Sequence, residues 1–273
     1  MLGLSNSITR SAGITKTVFD LTSLRLHVDS LNVVSATVGS EVLVSALVPI
    51  VGAVQPSQAT NANKPTHDTT NNKITFAFES TGSDVPFLEM ATAVTLTDAF
   101  TIVFAFAAHT DGSQTDAVSN IVGSNVDANN HSHLSVTGDG GDALEFELRA
   151  DSSASGSNLS DTATADMGTG NPLTSPATLY ALTKSAGASA TVKMFSFFSD
   201  EFVEEGSSTA FDEDIDFVVK QIGGVMDGTS AGSNEQQGNM HFYELLVYDE
   251  LLTQAQIQEC FALVKAKHAD LND

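Results

Sequence analysis

The chain has 273 residues, of which 41% are hydrophobic and 16% are charged. This composition excludes a disordered chain, which would be rich in charge and poor in apolar residues, and the length allows a large buried core. The 34 acidic and 11 basic residues give a net charge of −23, which argues against nucleic acid and anionic membrane surfaces as partners, since both need a basic face. An acidic surface suits a partner with a basic patch, and it is equally common in proteins that work in salty water.

The N-terminal segment, residues 1–20, is polar and rich in Ser, Gly and Thr, and we predict that it is an attachment arm. Met1–Lys16 lacks the apolar core of a signal peptide, and no stretch approaches the roughly 18 apolar residues of a membrane span. Cys260 is the only cysteine, so no intrachain disulfide can form. These features predict synthesis in a cytosol, and residues 21–273 are predicted to form a single domain.

Alternating apolar and polar residues predict strands along most of the chain. Five of the predicted strands are Ile74–Phe78, Phe87–Met90, Leu179–Thr183, Thr191–Phe198 and His241–Tyr248. Phe100–Phe106 is apolar on both faces and is predicted to be central, whereas Leu144–Arg149 alternates cleanly and is predicted to have one face in water. Turn-forming residues separate the strands, and residues 151–176 are the longest polar stretch, a candidate surface loop or insertion.

One helix is predicted at the C-terminal end, over residues 253–268. Thr253 and Gln256 have the spacing of a capping box, and Leu252 and Ile257 occupy the hydrophobic-staple positions around it. Four residues then follow one apolar face at helical spacing: Ile257, Cys260, Phe261 and Val264. Many strands with a single terminal helix predict an all-β sandwich or barrel rather than a parallel α/β fold.

Several segments resemble, in order, those of one known superfamily. They are Ser23–Asp29, Asn63–Asp68 with Lys73–Phe76, Phe87–Glu89 before Phe100–Phe104, Ile121–Gly123, Ile222–Gly224, and Tyr243–Asp249 continuing to Ile257–Gln258. This set resembles the concanavalin A-like lectin/glucanase superfamily in its laminin-G-like form. The resemblance covers roughly residues 20–268, and it implies a two-sheet antiparallel jelly-roll sandwich with one C-terminal helix.

The same resemblance extends to structural proteins of tailed phages, notably marine (cyanophage-type) ones. It implies a non-enzymatic virion protein, made in the host cytoplasm, with a capsid decoration or surface role. Its expected partners are other virion proteins of a capsid or tail lattice and further copies of itself. The alternative is a glycan-binding adhesion module of a tail or fibre, because the same fold hosts lectins as well as glycosidases.

The aromatic content departs from that of sugar-binding members of the superfamily. Such proteins usually stack sugars on aromatic rings, above all Trp, and this chain has no Trp and three Tyr. Strict alternation places Tyr243 and Tyr248 on opposite faces of one predicted strand, so they are not expected to line one groove.

Two groups of residues invite a catalytic or metal-binding interpretation. Asp212, Asp214 and Asp216 would share a face if they formed a strand, as the acids of retaining glucanases do. The Glu residues of that family pattern are missing, so a solvated acidic turn is the preferred interpretation. His131 and His133 would project from one face of a strand, but no third metal ligand is evident and the flanking Asn and Ser favour a loop or strand edge.

The remaining candidates also lack a complete chemical set. Asp111, Asp116, Asp139 and Asp142 lie in Gly-rich turns and offer oxygen ligands for calcium, which the superfamily sometimes binds, but no specific ligand set can be assigned. Cys260 lies on the apolar helix face and is predicted to fill the core. We therefore assign no catalytic residues, no metal ligands and no cofactor from the sequence, and we leave the partner-binding residues open.

Overall fold

The computed structural model describes residues 17–77, 86–108, 118–127, 130–139, 143–150, 159–161, 178–187, 190–198, 201–211, 216–224, 240–268 and 271. Within these residues it contains sixteen strands and one α-helix, and no described helix has the length and apolarity to cross a membrane. The elements are β1 (Leu24–Asp29), β2 (Val33–Val38), β3 (Glu41–Leu47), β4 (Thr66–Asp68), β5 (Lys73–Phe76), β6 (Leu88–Leu96), β7 (Phe100–Ala108), β8 (Val118–Asp127), β9 (Asn130–Asp139), β10 (Ala143–Ala150), β11 (Leu159–Asp161), β12 (Thr178–Lys184), β13 (Ala190–Phe198), β14 (Glu201–Phe211), β15 (Phe217–Ile222), β16 (Met240–Tyr248) and α1 (Gln254–Lys267), with 3-10 turns at Val18–Asp20 and Asn61–Asn63.

The described strands form two antiparallel sheets. The large sheet has the order β14-β13-β12-β7-β16-β5-β4-β3-β2, and β1 also pairs with β16. One side of β16 pairs with β7, while its other side pairs first with β5 and then with β1. The small sheet has the order β11-β10-β9-β8-β15-β6. Because β7 lies between β12 and β16, the predicted central position of Phe100–Phe106 is confirmed.

Two apolar cores hold these layers together. The interior core lies between the sheets, where Phe76, Phe104 and Leu245 of the large sheet meet Leu88 and Val122 of the small one. The helix-side core lies on the other face of the large sheet, beneath α1. Its members include Val103, Ala105, Leu179, Tyr243, Leu246, Tyr248, Ile257, Cys260, Phe261 and Val264. This two-sheet sandwich with one described α-helix, at its C-terminal end, confirms the predicted fold class.

The start of α1 has the predicted cap. The Gln256 backbone N–H donates to Thr253 Oγ1 at 3.3 Å, and the Thr253 backbone N–H donates to Gln256 Oε1 at 2.8 Å. The helix runs over Gln254–Lys267 with His268 as its C-cap, in agreement with the predicted span. The four residues predicted for its apolar face are all buried.

The turn at Val18–Asp20 packs against this helix. Val18 is buried in the helix-side core, and its backbone N–H donates to Glu259 Oε1 at 3.3 Å. The hydroxyl of Tyr248 donates to the Val18 carbonyl at 3.4 Å. Residues 1–16 lie outside the described part, so the attachment arm and the division at residue 20 stay predictions.

The two tyrosines of β16 lie on one face, and the prediction of opposite faces was wrong. The register between β16 and β7 shifts between Phe242 and Glu244, which marks a β-bulge at Tyr243. The extra residue turns Tyr243 to the face that also carries Tyr248. Both side chains are buried in the helix-side core.

Candidate functional site

A buried cluster of charged and polar side chains lies where β1, β16 and the end of α1 meet. His27 pairs in register with Leu246, and Asp29 pairs with Glu244. Since directly opposite residues of antiparallel strands share a face, His27, Asp29 and Glu244 point to the side that α1 covers. We call these three residues, with Lys267 and His268 from the helix end, the anchor cluster.

Hydrogen bonds satisfy Glu244 at the centre of the anchor cluster. Its Oε1 accepts from His27 Nε2 at 2.5 Å and from Lys267 Nζ at 2.8 Å. Its Oε2 accepts from His268 Nε2 at 2.9 Å. Lys267 Nζ also donates to Asp29 Oδ2 at 2.7 Å. The lysine ammonium therefore bridges two buried carboxylates and supplies their counter-charge.

The electrostatics of the cluster favour the ionised carboxylate. Burial alone would raise the pKa of Glu244, but hydrogen bonds from His268, His27 and Lys267 outweigh burial and lower the pKa to about 2. Burial would lower the pKa of Lys267, yet its contacts with Asp29 and Glu244 raise it. The anchor cluster is thus a permanently charged network near neutral pH.

The anchor cluster resembles a metal site only in part. Ligand atoms of His27, Asp29 and Glu244 lie within 4.8 Å of one another. However, calcium prefers six to eight oxygen ligands, and the Lys267 ammonium already lies between the two carboxylates. Bound metal would have to displace that ammonium. The residues therefore fit a structural ion network and do not fit a calcium site.

Asp29 connects the anchor cluster to the next strand of the chain. Its second oxygen, Oδ1, accepts from the backbone N–H of Leu31 at 3.2 Å and of Asn32 at 2.9 Å. It also accepts from Asn32 Nδ2 at 2.8 Å. These three bonds shape the turn that leads from β1 into β2.

Strand β2 is an exposed edge of the large sheet. It pairs with β3, and no other described strand pairs with its outer side. The register with β3 puts Val34, Ala36 and Val38 on one face, and the side chains of Val34 and Val38 are 47% and 45% exposed. Leu31, Val48 and Ile50 add further exposed apolar area nearby. We call this surface the β2 edge.

The β2 edge lacks most of the features that usually protect an edge strand, although its register with β3 shifts once, between Val34 and Ser35. Lysine, other charges, proline, bulges and short length all discourage pairing with another chain, yet β2 contains no charged residue and no proline over six residues. The opposite edge of the same sheet, β14, carries Glu201, Glu204 and Glu205 and an irregular register with β13.

The edges of the small sheet are protected as well. Strand β11 has three residues and ends in Asp161. Strand β6 carries Glu89, whose backbone bridges to Ser57. Among the described edges, β2 is therefore the one that combines length, apolar side chains and absence of charge.

Most of the residues that the sequence marked for chemistry lie outside the described part of the structure. Asp216 is exposed immediately before β15, while Asp212 and Asp214 lie outside the described residues. The backbones of His131 and His133 belong to β9, but their side chains lie outside the described part. Asp139 ends β9, with its side chain also outside, and the other calcium candidates, Asp111, Asp116 and Asp142, are not among the described residues.

Cys260 fills the helix-side core, as predicted. It is buried, and the Tyr248 hydroxyl lies 3.5 Å from its sulfur. Burial raises the pKa of the Cys260 thiol to about 12. A protonated, buried thiol is not a nucleophile.

Comparison with known proteins supports the fold alone. No protein-family model matches the chain, and no curated protein matches its sequence. Among solved structures, a Trypanosoma rangeli sialidase in complex with sialic acid is 11% identical with a TM-score of 0.51, and the match covers 90% of this chain but 33% of the sialidase. A SAP-like pentraxin from Limulus polyphemus is 13% identical with a TM-score of 0.46, covering 73% of this chain and 82% of that one. The binding domain of botulinum neurotoxin DC, in complex with rat synaptotagmin II, is 10% identical with a TM-score of 0.49, covering 89% and 52%. The match with a TM-score above 0.5 supports the β-sandwich fold.

Proposed function

We propose that this chain is a non-enzymatic structural protein that assembles into a virion, as a capsid decoration or surface protein of a tailed phage. The observation that carries the proposal is the β2 edge, an uncharged and apolar strand edge on a chain of net charge −23. Such an edge is a template for pairing with another chain. The segment-by-segment resemblance to phage structural proteins supports the same role, with the chain made in the host cytoplasm.

The chemistry of the described residues supports assembly over catalysis. The carboxylates of the anchor cluster are buried, and both pair with Lys267. Cys260 is buried and protonated. A catalytic group has to reach its substrate, and these groups are enclosed by α1 and the large sheet.

The test is to purify particles from the source that encodes this chain and analyse them by mass spectrometry and cryo-electron microscopy. We expect the protein at a high copy number that follows the symmetry of the capsid. Deletion of residues 1–16, the part of the predicted arm that precedes the packed turn, is expected to abolish incorporation. Absence of the protein from particles would refute the virion role.

Glycan binding is the alternative function, because this fold matches part of a sialidase whose structure holds sialic acid. The aromatic residues give glycan binding little support. The chain has no Trp, and its three Tyr residues, Tyr180, Tyr243 and Tyr248, are all buried and cannot stack on a sugar. A glycan array with millimolar calcium separates the two functions. Specific binding together with a low copy number at the tail tip would favour the adhesion module.

A further inference from the structure

We propose that β2 pairs antiparallel with β2 of a second copy, about a two-fold axis centred on Ala36. This joins the large sheets of two copies into one continuous sheet. The inference rests on the proposed assembly function and names the partner of the β2 edge. Closed two-fold contacts use the same surface on both copies, so the edge has to be complementary to itself.

The sequence of β2 meets this requirement. A two-fold axis perpendicular to a sheet keeps each face on its own side, so opposite residues must have numbers of equal parity. With the axis at Ala36, Val34 lies opposite Val38 of the second copy, and Ala36 lies opposite itself. On the other face, Ser35 lies opposite Thr37 of the second copy. Paired β-branched side chains and paired hydroxyls both stabilise antiparallel strands.

The two neighbouring registers are less complementary. An axis at Thr37 would place Val34 opposite Ser40 and Val38 opposite Ala36, so the two valines would not meet. An axis at Ser35 would place Val38 opposite Asn32, which already belongs to the turn held by Asp29. It would also place Val34 opposite Ala36, which loses the contact between the two larger side chains. The faces and exposures of β2 therefore select Ala36 as the centre.

Charge explains why pairing occurs at this edge. Two copies that each carry −23 repel one another over most approaches. Strand β2 and the turn after it carry no charge before Glu41. Contact at the β2 edge therefore brings no acid of β2 or of the following turn into the interface, and added salt should screen the remaining repulsion.

Residues 1–16 are the competing occupant of the β2 edge. They contain Arg10 and Lys16 and no acid, so they are attracted to the acidic body of the chain. However, residues 1–16 do not offer β2 the matched valine and hydroxyl pairs that β2 forms with a second copy of itself. The experiments below distinguish these two occupants.

Cysteine cross-linking tests the register directly. In the Ala36→Cys variant the two new thiols face each other across the axis, at a Cα separation of about 4.5–5.5 Å that a disulfide can span. Under mild oxidation we expect a covalent dimer at twice 28.5 kDa. The native Cys260 gives little background because it is buried and its pKa is about 12.

Matched variants make the cross-linking specific. Thr37→Cys is also exposed, but its two copies lie on a diagonal about 7–8 Å apart, so it should cross-link at least about tenfold more slowly than Ala36→Cys. A mixture of Val34→Cys and Val38→Cys proteins should form the mixed dimer faster than either variant alone cross-links. Equal rates for all variants, or fastest cross-linking of Thr37→Cys, would overturn the register.

The oligomeric state in solution tests whether the β2 edge forms a dimer. Sedimentation velocity of the full chain should show a concentration-dependent dimer whose dissociation constant falls by about threefold or more between 50 and 500 mM NaCl. The double variant Val34→Lys/Val38→Lys places lysines opposite each other and should weaken the dimer by at least about 100-fold. Val203→Lys, on the exposed opposite edge, is the control and should leave it unchanged.

The outcomes of these experiments show whether a second copy or residues 1–16 occupy the β2 edge. A chain lacking residues 1–16 that still dimerises supports β2 self-pairing, whereas loss of the dimer on this truncation would assign the edge to the arm and overturn the inference. A chain that stays monomeric at all salt concentrations also overturns it. If the protein is present in virions but the purified chain is monomeric, β2 self-pairing is refuted and the proposed virion function stands. If the chain dimerises through β2 but is absent from virions, the virion function is refuted and β2 self-pairing stands.

Discussion

Replacing Glu244 by Gln tests the energetic role of the anchor cluster. The pKa of Glu244 falls from an ordinary value of 4.5 to about 2 in the folded protein. Each pKa unit corresponds to about 1.36 kcal/mol, so the ionised carboxylate contributes about 3 kcal/mol of stability at pH 7. The substitution also turns an amide N–H₂ towards groups that are themselves donors, His27, Lys267 and His268. We expect Glu244→Gln to lower the free energy of unfolding by about 3 kcal/mol, measured by urea denaturation at pH 7.

The pH dependence of this loss follows from the direction of the pKa change. A lowered pKa stabilises the folded state above the unfolded pKa of 4.5, and the contribution disappears as the pH falls towards 2. The difference between wild type and Glu244→Gln should therefore shrink to about half by pH 3. Glu204→Gln is the control, because its ion pair with Lys193 is exposed and should change stability by less than about 1 kcal/mol. A Glu244→Gln difference below about 0.5 kcal/mol at pH 7, or one that is equal at pH 7 and pH 3, would refute the reasoning.

Three further substitutions or modifications probe the fold. Gly223 has a φ of +91° and a Cβ there would lie 2.1 Å from the Phe76 ring, so Gly223→Ala should cost at least about 2 kcal/mol in urea denaturation. The thiol of Cys260, with a pKa of about 12, should react with Ellman's reagent only on the timescale of unfolding, and rapid reaction of the native protein would contradict its burial. Thr253→Ala should lower stability by about 1 kcal/mol through loss of the helix cap, while Thr253→Ser should keep most of it.

Elements with a local signal could be predicted from the sequence. The cap at Thr253 and the apolar face of α1 depend on residues within a few positions of one another, and the structure agrees with both. The central strand Phe100–Phe106 was evident because it is apolar on both faces. The fold class followed from many strands and one helix.

Features that depend on long-range pairing could not be predicted. The bulge at Tyr243 arises from the match between β16 and β7, which lie more than 130 residues apart, so strict alternation gave the wrong face. The anchor cluster was missed for the same reason, since His27 and Glu244 are 217 positions apart. A signal existed in the spacing of His27 and Asp29 on one face of a strand, but nothing local indicated that Glu244 lies opposite.

The β2 edge and the anchor cluster are mechanically connected through Asp29. One of its oxygens binds Lys267 at the end of α1, 238 residues away, and the other holds the turn at Leu31 and Asn32 that leads into β2. Apart from that turn, β2 is positioned by its pairing with β3. The pairing with β3 therefore sets the orientation of the edge, and the lysine at the helix end ties the turn before β2 to the docked helix. A buried ion network is costly to rearrange, so this connection holds the turn that leads into β2 in one conformation, and a self-complementary contact requires such a fixed edge.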